Sequence, residues 1–362
     1  MGRTLRPEHI ERVVVRGANW VGDAVMTVPA LRELRRLLPR ARVTLATRPW
    51  AEGIFAGADF VDDFLVTRES SNRPRSILAE AREWRARRFD LAVLFPNAFA
   101  PALVAALAGV TARAGYATQG RSALLTHRFP LPDWRGRRHE VFYYLNLASE
   151  LERLLYGTST VEAREPDTRL PAPGAPAREA REILREAGAR AGRPLVTVCP
   201  GSTNSRAKRW PAERFAAVAD MLAEGFGAEV VLVGAAEESD ISGEVARLMR
   251  ARPVVLTGKT DLPQTAAVLR AADLLVTNDT GPAHVAAAVG CPVVVIFGPT
   301  NPETTRPFSA TAEVVRRPPD CAPCMLRDCP IDHRCMTAVT PEEVFGRAAR
   351  ALASRRKVEV AR

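Results

Sequence analysis

Long hydrophobic runs are absent from this sequence of 362 residues. No stretch approaches the roughly 18 uninterrupted apolar residues of a membrane-spanning helix, and the longest candidate, residues 98–110, is interrupted by Pro101. Residues 1–16 have neither the apolar central region nor the small-residue cleavage site of a signal peptide. We therefore expect a cytoplasmic protein without a membrane span.

The common nucleotide fingerprints are also missing. The sequence contains no Gly-x-Gly-x-x-Gly and no complete Gly-x-x-x-x-Gly-Lys-Ser/Thr pattern. Hydride transfer on a dinucleotide and P-loop chemistry both lose support. No Asp-x-Asp pair stands where it could bridge a metal to a diphosphate, so we expect that no cofactor is required for catalysis.

Acidic residues are too few to balance the basic ones, and the formal net charge is +10, carried mainly by arginine. The basic residues concentrate in residues 73–75, 82–88 and 121–138, which predicts an acidic partner. No helix-turn-helix pattern or aromatic-studded basic strand accompanies them, so we expect no nucleic acid. An anionic glycolipid explains the charge better, and a solvated arginine-rich surface remains the alternative.

The chain is long enough for two domains, and 47% hydrophobic residues can fill two cores. Strand and helix patterns alternate in both halves, which predicts an α/β protein with parallel sheets. A proline-rich stretch divides the chain into residues 1–170, a linker at 171–178 and residues 179–362. Its markers are Pro166, Pro171, Pro173, Gly174 and Pro176. We therefore expect two Rossmann-like domains that face each other across a cleft, which is the GT-B architecture.

The first site-like segment follows a buried strand at Arg12–Arg16. Apolar residues then recur at helical spacing from Val25 to Leu38, and Pro29 is expected to divide that helix. Asp23 therefore lies at a strand-to-helix turn, on the edge of the sheet where open α/β folds bind ligands. The alternative is that Asp23 only caps the helix.

A second site-like segment, Asp273–Thr300, is one β-turn-α-β unit. Asp279, Thr280 and Gly281 fall where the strand ends and the helix begins, so amides and the positive end of the helix dipole favour a phosphorylated ligand. Asp279 then either binds sugar hydroxyls or caps the helix. His284, one turn further on, either faces the same crevice or packs within the protein.

Together with Cys199–Pro211, these motifs resemble the ADP-heptose lipopolysaccharide heptosyltransferases of glycosyltransferase family 9, most closely the type II enzyme. The resemblance rests on four ordered blocks, Asn19–Met26 with Pro29–Leu31, Ala207–Pro211, Asn278–Gly281 with His284–Ala287, and Phe297–Thr300. It implies a GT-B protein that transfers L-glycero-D-manno-heptose from ADP, with inversion, to the anionic inner core of lipopolysaccharide. The reaction would take place at the cytoplasmic face of the membrane, with peripheral contact.

The resemblance also implies residue roles. Asp23 would be the catalytic base, and Lys208 would contact the donor diphosphate as a point charge. The other implied donor-binding residues are Thr203, Asn204, Asp279, Thr280, Gly281 and His284. Glu237 is expected to contact the ribose or the adenine. Arg113, Arg121 and Arg128 are expected to bind acceptor carboxylates or phosphates, although each of them alone reads as a surface cation.

Six cysteines in a cytoplasmic chain are expected to be reduced. Cys199 and Cys291 lie in apolar surroundings and are predicted to be core residues. The remaining four lie in a loop at residues 318–337, and thiols at this density suit a closed, structural zinc site. They are Cys321, Cys324, Cys329 and Cys335. Ordinary loop thiols are the alternative.

Three other functions remain open on the sequence alone. A related transferase could use another acceptor or another nucleotide-sugar, because the base and the diphosphate contacts would be shared. A GT-B epimerase acting on a UDP-sugar fits the order of the four blocks less well. A non-catalytic basic protein that binds membrane or nucleic acid would have no need to retain Asp23, Lys208 and Asp279 together.

Overall fold

The computed structural model describes residues 5–67, 73–171 and 177–360. The chain divides into two compact units, Met1–Thr168 and Arg169–Arg362. Leu170 belongs to the second unit rather than the first domain, and its N–H donates to the carbonyl of Ala288. Three positions of the predicted linker lie outside the described residues, namely Pro173, Gly174 and Pro176.

Strands and helices alternate along the described part of the first unit. They are β1 (Arg12–Arg16), α1 (Val21–Met26), α2 (Val28–Leu37), β2 (Arg42–Thr47), α3 (Pro49–Phe55), β3 (Asp63–Val66), α4 (Pro74–Arg87), β4 (Leu91–Leu94), α5 (Phe99–Leu107), β5 (Ala112–Tyr116), β6 (His127–Phe129) and α6 (Glu140–Tyr156). The strands form one parallel sheet in the order β3-β2-β1-β4-β5-β6.

The second unit repeats this plan. Its elements are α7 (Ala177–Glu186), β7 (Leu195–Cys199), α8 (Ala212–Phe226), β8 (Glu229–Leu232), α9 (Ser239–Leu248), β9 (Val254–Val255), α10 (Leu262–Ala271), β10 (Leu274–Asn278), α11 (Gly281–Ala288), β11 (Val293–Phe297), α12 (Pro302–Thr305), β12 (Ala312–Arg316), α13 (Arg334–Thr337) and α14 (Pro341–Val360). The parallel sheet runs in the order β12-β11-β10-β7-β8-β9.

Both sheets have the Rossmann strand order, in which the direction of winding reverses between two central strands. In the first sheet the reversal lies between β1 and β4, and in the second it lies between β7 and β10. Loops that leave the carboxyl ends of such a strand pair diverge and form a crevice. The sheet order therefore places the β1–α1 turn and the β10–α11 turn at ligand-binding positions. The α/β, GT-B fold class expected from the sequence is confirmed.

The central strands are apolar because helices cover both faces of each sheet. Val13, Val14 and Val15 of β1 are fully buried, as are Leu275 and Val276 of β10. Each such side chain contributes about 1.5–3 kcal/mol by leaving water. The sequence pattern of these strands is therefore a continuous apolar run rather than an alternation.

The division of the first long helix is confirmed. It breaks at Thr27, and Pro29 stands in the first turn of α2, where its missing N–H costs nothing. Three strands were not predicted from the sequence: β5, β6 and β12. β6 and β12 lie at sheet edges, whereas β5 lies inside the first sheet. Among the described helices, none is both long and apolar enough to cross a membrane.

Candidate active site

Asn278, at the end of β10, ties together the two loops at the reversal point of the second sheet. Its side chain is fully buried. The Oδ1 atom accepts the Trp210 N–H at 3.0 Å, and Nδ2 donates to the carbonyls of Pro200 at 2.8 Å and Gly201 at 3.2 Å. A buried amide with these bonds satisfied fixes the relative position of the loops after β7 and β10. Nothing in the sequence indicated this role, although Asn278 lies in one of the motifs described above.

Lys208 and Asp279 form an ion pair at this point. Lys208 Nζ lies 2.7 Å from Asp279 Oδ2 and 3.2 Å from the Asp279 carbonyl oxygen, and Thr300 Oγ1 donates to the same Oδ2 at 2.7 Å. Asp279 is buried, whereas the Lys208 side chain is 26% exposed. The pair therefore presents a fixed ammonium to solvent, which is the arrangement a phosphate needs.

The geometry also shows whether Asp23 and Asp279 cap the helices that follow them, which was the alternative to a role in a site. The residue that caps α11 is Thr280, whose side chain makes no capping bond, while the Asp279 carboxylate binds Lys208 and Thr300. The cap of α1 is Trp20, and Asp23 lies inside the first helical turn. Neither aspartate is an N-cap residue.

The other predicted donor-binding residues occupy the same two loops. Thr203 and Asn204 are exposed in the loop after β7, while Thr280 and Gly281 are partly exposed at the start of α11. This helix start offers a positive dipole end and the Gly281 N–H to an anion, whereas Pro282 has no N–H and the Ala283 N–H donates to the Thr280 carbonyl. His284 is 5% exposed within α11. Burial at this level favours the packed histidine over a solvent-facing ligand residue.

Glu238, and not Glu237, reaches the site. Glu237 is exposed, whereas Glu238 is buried after β8. Its Oε1 accepts from Thr203 Oγ1 at 3.2 Å, and its Oε2 accepts the Ala235 N–H at 3.0 Å. A side chain at Gly201 would overlap the Glu238 carboxyl group, so glycine there makes the approach possible. A short 3₁₀ turn sets this register, and the donor contact expected of Glu237 stays a prediction.

Cys199 lies beneath this loop and is not a nucleophile. Burial raises the pKa of the Cys199 thiol to about 12, and the negative charge of Glu238 is the second largest cause of this rise. A thiol is reactive as the thiolate, and this one stays protonated near neutral pH. Cys199 and Cys291 are both buried, as the sequence predicts for core residues.

Asp23 lies partly buried at the carboxyl end of β1, beside α6. Burial raises the pKa of Tyr144 well above its usual value, and the negative charge of Asp23 is the second largest cause of this rise. The turn that leads to Asp23 is fixed by the buried Arg16, which donates to the carbonyl of Gly17 at 2.9 Å and to Asn19 Oδ1 at 3.2 Å. Burial lowers the pKa of Arg16 to about 10, so it remains charged near neutral pH.

The three arginines predicted for the acceptor are not equivalent. Arg121 is fully buried, and its guanidinium donates to the carbonyls of Tyr116 and Pro96. Arg113 donates to the carbonyls of Leu124 and Val110 at 2.6 and 2.5 Å. Both guanidinium groups are occupied by backbone oxygens, so neither is the surface cation that the sequence suggests. Arg128 is exposed on β6.

The cysteine loop does not gather its thiols into a closed site. Cys321 and Cys329 are exposed, Cys324 is partly exposed and Cys335 is buried. Across residues 5–67, 73–171 and 177–360, no group of three or more His, Cys, Asp or Glu side chains is arranged to hold a metal ion. The zinc site stays a prediction, which elemental analysis of protein purified without chelator would test.

Comparison with known proteins identifies the family. The model of glycosyltransferase family 9 (heptosyltransferase) matches residues 77–334. The chain belongs to glycosyltransferase family 9. It is therefore an enzyme of the heptosyltransferase type, as the sequence motifs predicted. Among curated proteins it is 29% identical to lipopolysaccharide heptosyltransferase 2 of Escherichia coli strain K12 over 314 residues, which cover 84% of this chain and 88% of the relative.

Two solved structures of family members share the fold over nearly the whole chain. One is the ADP-heptose lipopolysaccharide heptosyltransferase II of E. coli, with a TM-score of 0.79 and 26% identity over 95% of this chain and 99% of the other. The second is a family 9 glycosyl transferase from Veillonella parvula, with a TM-score of 0.81 and 25% identity over 98% and 99%. The family 9 fold therefore extends beyond the segment matched by the family model.

Proposed function

We propose that this glycosyltransferase transfers L-glycero-D-manno-heptose from ADP-heptose to the inner core of lipopolysaccharide, as a type II heptosyltransferase. The observation that carries the proposal is the Lys208–Asp279 pair at the reversal point of the second sheet, in a family 9 chain. The names of its E. coli relatives supply the donor and the acceptor class.

The second unit binds the donor in this proposal. The Lys208 ammonium and the Thr280 and Gly281 amides face the diphosphate, since both present positive charge at the same crevice. The Asp279 carboxylate, held by Lys208 and Thr300, accepts from sugar hydroxyls with its remaining lone pairs. Glu238 accepts from the ribose, because its carboxylate contacts Thr203 in the loop after β7.

The chemical step is a direct displacement with inversion. The Asp23 carboxylate removes the proton of the attacking acceptor hydroxyl, whose oxygen forms the new bond to the anomeric carbon of the heptose. The bond from that carbon to the diphosphate oxygen breaks on the opposite side, and ADP leaves with the bonding electrons. Lys208 and the Thr280 and Gly281 amides stabilise the charge that develops on the departing diphosphate.

On the acceptor side, Arg135 has the role that the sequence suggested for Arg113 and Arg121. It is exposed, and its guanidinium carbon lies 4.1 Å above the centre of the Tyr143 ring. The Tyr143 hydroxyl in turn bonds Asn97, in the loop after β4 that borders the reversal point of the first sheet. No described residue forms an ion pair with Arg135. We therefore assign to it the acceptor's carboxylate or phosphate.

The acceptor is anchored in a lipid, so the proposal includes peripheral contact with the inner face of the cytoplasmic membrane. The net charge of +10 favours an anionic surface of this kind.

Mass spectrometry of the products from a panel of nucleotide-sugars and acceptors tests the proposed function. The expected result is addition of one heptosyl residue to an inner-core acceptor when ADP-heptose is the donor. Transfer from a UDP-sugar, transfer to an unrelated acceptor, or epimerisation of the donor would each point to one of the alternative enzymes. An absence of turnover with every pair would contradict the proposal.

A further inference from the structure

The last part of the cysteine loop lies against the loop that carries Lys208. We name residues 325–336 the strap. Ala207, the residue before Lys208, is held by the strap at both of its polar backbone atoms: its N–H donates to the Arg327 carbonyl at 2.9 Å, and its carbonyl oxygen lies 2.6 Å from His333 Nε2. A carbonyl oxygen only accepts, so His333 Nε2 carries the proton of this bond.

The strap also reaches the other partner of the Asp279 carboxylate. The Met325 N–H donates to the carbonyl of Pro299 at 2.9 Å, and Pro299 immediately precedes Thr300. Met336 packs so closely on Gly298 that no side chain would fit at that position. The strap therefore contacts the residues next to both Lys208 and Thr300, the two groups that bind Asp279.

His333 is the strap residue best placed to fix Lys208. Arg206 and Asp328 form a side-chain ion pair between the Lys208 loop and the strap. Their side chains are 78% and 60% exposed, and ion pairs this exposed contribute little to stability. Ala207 is buried, and the His333 bond to it is partly buried. The His333 backbone adopts a left-handed conformation, with φ of 57°, that most residues avoid.

We propose that His333 is a positioning residue for the donor diphosphate: its bond to the Ala207 carbonyl fixes the peptide from which Lys208 extends. The inference rests on the proposed function, since ADP is the ligand it concerns. It assigns a role to the strap that does not depend on the cysteines or on a metal. Nothing in it requires His333 to touch the donor.

Three substitutions of His333 separate this role from a merely structural one. His333→Gln places an amide N–H near the position of Nε2 but is disfavoured in the left-handed region. His333→Asn suits that region, but its amide is too short to reach Ala207. His333→Ala lacks both properties. Asp332→Asn is the matched control, because Asp332 pairs within the strap with Arg334 and makes no contact with the Lys208 loop in the described residues.

Calorimetry with ADP and with adenosine gives the readout, after thermal unfolding has shown that each variant is folded. We expect His333→Ala and His333→Asn to weaken ADP binding by about five- to tenfold, the scale of one lost hydrogen bond. Adenosine binding should stay unchanged, and His333→Gln and Asp332→Asn should bind ADP almost as the wild type does.

Equal losses for ADP and adenosine, rescue by Asn instead of Gln, or unchanged ADP affinity in His333→Ala would each overturn the inference while leaving the proposed function intact. Wild-type protein that binds no ADP would overturn both. The two failures are therefore distinguishable in one set of titrations.

Discussion

Lys208 Nζ lies 2.7 Å from Asp279 Oδ2, although 71 residues separate the two in the chain. Their loops leave the carboxyl ends of adjacent parallel strands, β7 and β10, and Asn278 holds the loops together. Because the carboxylate fixes the ammonium before any ligand arrives, less side-chain freedom is lost when a diphosphate binds. The pair would therefore preorganise the proposed donor site.

Removing the Lys208 ammonium should affect the diphosphate and spare the nucleoside. We expect Lys208→Ala to weaken ADP binding by about 10- to 100-fold, since a charged contact is lost and the buried Asp279 carboxylate is left unpaired. Adenosine affinity should change little. Arg206→Ala is the matched control, a nearby cation that is 78% exposed. Calorimetry that found equal losses for both ligands would remove Lys208 from the diphosphate site.

Glu238 should contribute to a different part of the donor. If its carboxylate accepts from the ribose, Glu238→Gln weakens ADP and adenosine alike, by about fivefold or more, because both ligands contain the ribose. Glu237→Gln, a change of the exposed neighbour, should leave both affinities unchanged. Competition titrations with the two ligands measure this. A loss confined to ADP would move Glu238 from the ribose to the diphosphate.

Arg135 should act on the acceptor alone. We expect Arg135→Ala to raise the KM for an anionic inner-core acceptor about tenfold, through loss of a charge-assisted contact, and to leave ADP affinity unchanged. Arg135→Lys should restore part of the effect, because it returns the charge without the planar fork. Steady-state kinetics would test this with Arg128→Ala as the control. A larger effect of Arg128→Ala would reassign the acceptor contact to Arg128.

Glu152 of α6 should make the first unit sensitive to acid. Burial alone would raise its pKa, but bonds from Arg36, Ser159 and the Thr160 N–H hold the pKa at about 2. A lowered native pKa stabilises the fold above the usual pKa of 4.5, and that contribution disappears as the pH falls towards about 2.

The change that tests this is Glu152→Gln. It should lower the free energy of unfolding by about 1–3 kcal/mol at neutral pH, and the difference from wild type should shrink between about pH 5 and pH 2. Urea titrations across that range measure it. Glu150→Gln, which breaks only a surface pair with Arg153, is the control. A difference that did not vary with pH would show that the charge of Glu152 is not what stabilises the fold.

The sequence predicted those strands and turns whose positions depend on residues close together in the chain. Asp23 and Asp279 follow apolar strands, and parallel strands bring such turns to one edge of a sheet, so their positions could be inferred. The strand predicted at Arg12–Arg16 has the bounds of β1, because its apolar run is continuous. The edge strand β6 was missed because its three residues include the exposed Arg128 and carry no apolar run.

The failures came from tertiary contacts. Arg121 is buried because carbonyls of residues 96 and 98, far away in the sequence, surround its guanidinium. Asn278 gave no sign of its role, since its partners Pro200 and Trp210 are distant in the chain. The choice between Glu237 and Glu238 depended on one turn of 3₁₀ helix. Such contacts depend on the folded chain as a whole.

The most direct measurement of the proposed mechanism compares Asp23→Asn with wild type in two assays on the same preparations. The substitution keeps the size of the side chain and removes its basicity. We expect ADP to bind with unchanged affinity, while heptosyl transfer under saturating substrates falls by at least about 100-fold, the usual scale for a lost general base. Near-normal turnover in Asp23→Asn would contradict the mechanism, because Asp23 would then not be the base.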